Sequence, residues 1–120
     1  MRPPTLIFIL FCVSCGIRTS SEDRFKANIG FALPTDKKVL KDDFYDMAQD
    51  YELVYMIELS TRSNKELINQ IKPYVGNKGK ECNWSLSENG FKYQCEKDLI
   101  LYQVNYDTLA RRIIYSELAD

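Results

Sequence analysis

Histidine does not occur among the 120 residues of this chain. Its absence removes imidazole acid–base catalysis, nucleophile–histidine triads and most zinc sites together. What remains for chemistry is carboxylates, tyrosines and four cysteines. Asp42, Asp43, Asp46, Asp50 and Glu52 crowd one stretch. Calcium takes such oxygens, but the spacing lacks the EF-hand pattern and no glycine stands where that loop turns. The cluster reads as the solvated face of a hairpin. Glycosidase-type hydrolysis needs two carboxylates across a cleft, and nothing in the spacing sets up such a pair. The sequence therefore names no catalytic residue, no metal ligands and no cofactor.

The front of the chain speaks to compartment instead. Arg2 precedes an apolar run over residues 6–13, followed by Ser14-Cys15-Gly16. A spanning helix needs about 20 apolar residues, so this run is too short. A positive start, a short apolar run and small residues after it mark a cleaved secretory signal. The residues Val13-Ser14-Cys15 resemble the lipobox of bacterial lipoproteins, with Cys12 where a leucine is usual. The resemblance implies cleavage before Cys15, lipidation of its sulfur with diacylglycerol and attachment to a membrane through fatty acyl chains such as palmitate. Each buried methylene of such chains contributes about 0.8 kcal/mol. Gly16 is not the aspartate that retains lipoproteins at the inner membrane in some bacteria, so the resemblance implies the outer one. The alternative is an ordinary signal peptide that releases a soluble, secreted protein.

On this reading residues 1–14 are a signal peptide, residues 15–28 a polar flexible tether and residues 29–120 a single domain. About 106 residues are enough for one modest domain and not two. The formal charge of −1 offers no basic stripe for a phosphate backbone, so nucleic acid is not an expected partner. Cys12 leaves with the signal and Cys15 takes the lipid. Cys82 and Cys95 then remain as an even pair in an oxidising compartment, which favours a disulfide. Two thiols without a histidine make a poor metal site.

Elements follow from periodicity. Residues 29–34 are an apolar cluster, extended at Leu33 by Pro34, with Phe31 and Leu33 expected to pack on the domain. A Leu-Pro followed by Val39 also looks loosely like the opening of many small bacterial lipoproteins. Residues 39–45 and 51–59 read as strands. Tyr51, Leu53, Tyr55, Ile57 and Leu59 share one face at period two, and Val54 and Met56 sit on the other, which places this strand centrally. Ser63 and Glu66 suggest a capping box ahead of the stripe Leu67, Ile68, Ile71 and Val75, with Pro73 ending the helix. Residues 76–80 read as a loop.

Asn89-Gly90 between alternating runs predicts a type I′ hairpin. That turn would pair Leu86 with Tyr93 and Trp84 with Cys95, leaving Cys82 diagonal to Cys95. Diagonal neighbours lie about 7–8 Å apart, too far for an unstrained bridge, so the chain would have to bend there. Residues 99–106 and 112–118 predict a last hairpin, with Arg111-Arg112 flanking its turn. The expected fold is α+β: a twisted antiparallel sheet of about five strands with one α-helix on one face, in the order β-β-α-β-β-β.

Eight tyrosines are many for this length. Exposed together they would suggest protein recognition, although tyrosine also fits half-buried strand faces. The expectation is a lipid-anchored, non-enzymatic binding or inhibitory module in the bacterial envelope. Its partners would be the membrane and an envelope or secreted protein. A small carboxylate enzyme and a structural accessory of the envelope are the alternatives, and the oligomeric state stays open.

Overall fold

The computed structural model describes residues 19–76 and 82–119. The signal-like stretch, Cys15 and residues 77–80 of the expected loop lie outside them. The described chain is α+β. Its elements are α1 (Ser21–Ile29), β1 (Lys38–Met47), β2 (Asp50–Glu58), α2 (Thr61–Ile71), β3 (Asn83–Ser87), β4 (Gly90–Lys97), β5 (Ile100–Asp107) and β6 (Arg112–Ala119). A 3₁₀ turn over Lys72–Tyr74 follows α2, where Pro73 stops the helix.

The six strands form one antiparallel sheet in the order β1-β2-β6-β5-β4-β3. The chain crosses from β2 to the far edge through α2, then returns as a meander that sets β6 beside β2. This corrects the expected count of about five strands to six, since each of three hairpins, β1–β2, β3–β4 and β5–β6, contributes two strands to the one sheet. The period-two stripe of β2 is buried at Leu53, Tyr55 and Ile57. It lies against Ile113, Tyr115 and Glu117 of β6, since Ile57 pairs with Ile113, Tyr55 with Tyr115 and Leu53 with Glu117.

Both helices pack on this inner face. The ring of Phe25 in α1 meets the ring of Tyr115 edge-on at 5.4 Å, and Asn64 in α2 bonds Tyr106 of β5. The core is Phe25, Leu67, Ile71 and the inward residues of β2 and β4–β6. Leu33 is buried and Phe31 packs edge-on against Tyr74 and Trp84, as the apolar cluster at residues 29–34 suggested.

Helix α1 replaces most of the expected tether. Ser20 caps it by accepting from the Asp23 amide at 3.2 Å, and Glu22 and Asp23 favour its positive end. Gly30 closes it in the left-handed conformation, φ 101°, where glycine carries no side-chain penalty. Phe25 and Ile29, one turn apart, are buried. Burying such a phenylalanine contributes about 1.5–3 kcal/mol, which a solvated leash would forgo. Helix α2 starts earlier than expected: Ser60 is its cap and accepts from the Ser63 amide at 3.1 Å. Glu66 meets Arg62 on the surface instead of closing a capping box.

The β3–β4 register is also corrected. Trp84 pairs with Tyr93 and Leu86 with Phe91, so the loop is Glu88-Asn89. Gly90 is drawn into the ladder because the Tyr106 carbonyl sits where a Cβ at Gly90 would be. The Thr108 amide and hydroxyl both donate to the Asn89 carbonyl, at 3.0 and 2.9 Å. The shift moves each partner by two, so the inward face is kept, yet Leu86 at the sheet's end is 70% exposed. It also brings Cys82 directly opposite Cys95. The two are disulfide-bonded with Cα atoms 4.2 Å apart, and no diagonal reach is needed.

The turn with positive φ at both central positions is Asp98-Leu99, at 53° and 65°, between Lys97 and Ile100. Leu99 thus belongs to a turn and not to the last strand pair, and its side chain is exposed. A leucine there carries a left-handed penalty that glycine avoids. Leu99→Gly should raise stability by about 0.5–1 kcal/mol, seen as a higher urea midpoint at unchanged slope. An unchanged or lower midpoint would contradict this description of the turn.

Candidate functional site

Period two along β6 sends Ile113, Tyr115 and Glu117 to the inner face. Glu117 is wholly buried there and, among the described residues, is the one charged side chain in the core. A buried carboxylate needs an opposite charge and donors for its lone pairs. Helix α1 supplies two of these from one face, because Arg24 and Asn28 are four residues apart. Arg24 Nη1 lies 2.9 Å from Glu117 Oε1. The Tyr51 hydroxyl, at the start of β2, donates to the same oxygen at 2.7 Å. The Tyr115 hydroxyl donates to Oε2, which Asn28 Nδ2 also approaches at 3.4 Å. Asn28 Nδ2 further donates to the Tyr115 hydroxyl at 3.0 Å. Aromatic contacts hold the donors: Tyr51 stacks on Phe44 at 5.3 Å, and the Arg24 guanidinium lies 5.8 Å from the Tyr51 ring centre.

The electrostatics of this cluster hold its tyrosines neutral. Burial, then the hydrogen bond to Glu117, pushes the Tyr51 hydroxyl up to about 12. The same causes push Tyr115 up further. A tyrosine serving as acid, base or nucleophile needs a value close to working pH. Both carboxylate oxygens already accept from two donors each, so neither keeps a lone pair aimed at an incoming group. The arrangement clamps α1 to the sheet.

Two other polar clusters are likewise structural. The Ser63 and Ser60 hydroxyls donate to Asp36 at 2.7 and 2.9 Å and hold its carboxyl below the usual carboxylate range, fixing the start of α2. The Tyr106 hydroxyl, pushed up by burial, lies 2.5 Å from Asn64 Oδ1, and Asn64 Nδ2 donates to the Thr108 carbonyl at 3.1 Å. A shallow depression of about 350 Å³ opens at the turn end of the other sheet face, beside Glu88, Asp107 and Arg112. Its Asp107 carboxylate is taken up by the Leu109 and Ala110 amides of the β5–β6 turn.

The acidic stretch singled out in the sequence does not converge. Asp42 accepts from the Ser21 hydroxyl at 2.5 Å, and Asp43 lies by Lys41 and the Tyr45 hydroxyl. Among the described residues no three cysteine, aspartate or glutamate side chains group as metal ligands. Cys82 and Cys95 come together, while Cys15 lies outside the described residues. Six of the eight tyrosines, at 51, 55, 93, 102, 106 and 115, are buried or half-buried on the inner face. Tyr45 and Tyr74 are exposed and far apart in the chain, so no tyrosine patch forms from the set. Arg111 flanks the last turn, bonding Thr61 at 2.9 Å. The sequence reading missed Glu117, Arg24, Asn28 and Tyr51 as a set. The available signal was a glutamate in phase with Ile113 and Tyr115.

Glu117→Ala should cost about 3–5 kcal/mol, because it strands the Arg24 cation and two tyrosine hydroxyls. Urea unfolding measures this, and a loss below about 1 kcal/mol would contradict the clamp. Alkali should act through the tyrosines. The folded value of Tyr51 is above the unfolded one, so its contribution is complete below pH 10 and lost as pH rises towards 12. Stability followed across that window should fall, and Tyr51→Phe should fall less steeply from a lower start.

A scan of family models and searches of curated proteins and of solved structures find no match to this chain.

Proposed function

We propose that the chain is a lipid-anchored exported lipoprotein of the bacterial envelope, and that its body acts there as a non-enzymatic binding or inhibitory module. The observation that carries the binding reading is the sheet face on which no described helix packs. Both helices lie on the inner face. On the other, Met56 sits across from Ile114 and Leu101 from Leu118, with Val54 beside them. These side chains are half-buried to exposed, Leu118 at 40%. An apolar row rimmed by Glu52, Lys92 and Arg112 suits recognition of a protein surface. The saturated Glu117 cluster supports the non-enzymatic side of the reading.

The disulfide supports an oxidising compartment. The anchored reading gains a geometric consequence from α1. Only residues 16–20 separate Cys15 from Ser21, where α1 begins, a reach of at most about 20 Å. The body is then held against the bilayer, with little of the swing that a longer tether would allow.

One preparation tests both halves. Mass spectrometry of the mature protein from the membrane fraction should give an acylated Cys15 and an oxidised Cys82–Cys95 pair, and Cys15→Ser should abolish the acyl mass and the membrane association. With a photoreactive residue at Met56, irradiation in cells should give one discrete adduct, absent with the probe at Lys65 on α2. A chain recovered from cytosol with residues 1–14 intact would overturn the anchor. Equal, diffuse labelling at both positions would overturn the recognition face.

A further inference from the structure

The two edges of the sheet differ. The β3 edge is five residues long, and Val75 bridges to it at Trp84. The β1 edge is ten residues long, exposed over most of its length, and ends the sheet among the described residues. Such an edge presents open backbone donors and acceptors to another chain. It also carries exposed apolar side chains: Val39, Leu40, Tyr45 and Met47. Charges and a bulge commonly protect an edge, so the sign and position of the charges decide the matter.

We propose that β1 is a self-association edge through which two copies of this chain pair antiparallel about a two-fold axis at Asp42. Directly opposed residues of an antiparallel pair share a face. With the axis at Asp42, Lys41 of each copy meets Asp43 of the other on the outer face. Beyond them lies a bulge, where the register against β2 shifts between Val39 and Lys41. Skipping the bulged Leu40 keeps the faces matched and sets Val39 on Phe44 and Lys38 on Tyr45. Away from the axis, the opposed pairs are therefore opposite charges, two apolar groups, or a cation against a ring. Moving the axis to Asp43 would set Asp42 on Phe44, and moving it to Lys41 would set Asp42 on Val39. Of these three axes, Asp42 alone sets no carboxylate against an apolar side chain.

Lys41 and Asp43 now face each other within one strand at 3.7 Å, both more than two-fifths exposed. A surface pair of that kind is worth about 0–1 kcal/mol, so it is readily exchanged for a cross-chain partner. The like charges at the axis are the cost. Asp42 accepts from the Ser21 hydroxyl at the start of α1, so both α1 helices begin beside the axis and on the same side of the joined sheet. On the anchored reading, both leashes then enter one membrane, although the pairing itself does not depend on that. A single strand edge buries less than the roughly 1,200 Å² of a small stable interface, so association is weak and depends on concentration.

The test is sedimentation equilibrium of the full chain in detergent micelles, from about micromolar to about millimolar protein. A concentration-dependent dimer is expected. Lys41→Asp and Asp43→Lys should each weaken it about tenfold or more, by opposing like charges twice across the axis. An equimolar mixture of the two variants should recover association, because the acidic edge of one meets the basic edge of the other. That recovery acts between chains, so it cannot come from repaired folding, and matching circular dichroism of the variants checks the fold directly. A monomer at every concentration, a dimer indifferent to both reversals, or a mixture that stays monomeric would each overturn the proposal. None of these outcomes bears on the acyl mass at Cys15, so the two readings fail separately.

Discussion

The rest of the structure depends on one buried carboxylate. Glu117 lies in the middle of the inner face with no water-exposed surface, and an unpaired charge there would cost several kcal/mol. The sheet alone supplies only tyrosine hydroxyls. The cation comes from Arg24, 93 residues away in sequence, and it arrives only if α1 folds and docks. Burial of Phe25 and Ile29 supplies the affinity of that docking, and the ion pair sets its register. Without Glu117 the helix could slide or turn on an apolar surface. With it, one placement satisfies every donor.

The same logic spreads outward. Asn64 and Tyr106 fix α2 over β5, and Asp36 fixes the start of α2 through two serines. The disulfide ties the chain entering β3 to β4, at the edge farthest from β1. Inner-face polarity is thus spent on holding helices in place. Among the described residues, the outer face and the β1 edge carry no further layer or neighbour strand.

Much of this was legible from period and punctuation. The alternation of β2, the stripe of α2 and the two cysteines all carried their own evidence, because each signal is local or follows from parity. The register of β3 and β4 was not legible. Asn89-Gly90 marks a turn, but Gly90 answers to the Tyr106 carbonyl of another strand, a contact that no local pattern encodes. Helix α1 was hidden for a different reason. Its apolar stripe is only Phe25 and Ile29, so composition read as solvated chain, although Ser20 and Gly30 bracket it with sound caps. The Glu117 cluster was half visible: parity points the glutamate inward, while its partners come from three separate elements. The lipid anchor at Cys15 comes from the lipobox resemblance, while the signal-like pattern and the cysteine pair speak to compartment.

The central claim is that α1 is an integral, clamped part of the body and not leash. Native-state amide hydrogen exchange on the full chain measures this most directly, since local opening free energies separate docked from fraying segments. Amides 25–29 should be protected to nearly the level of β6, and Arg24→Met should lower their protection far more than that of β4. If those amides exchange as fast as an unstructured peptide while the sheet stays protected, the clamp does not exist and the account of Glu117 fails with it.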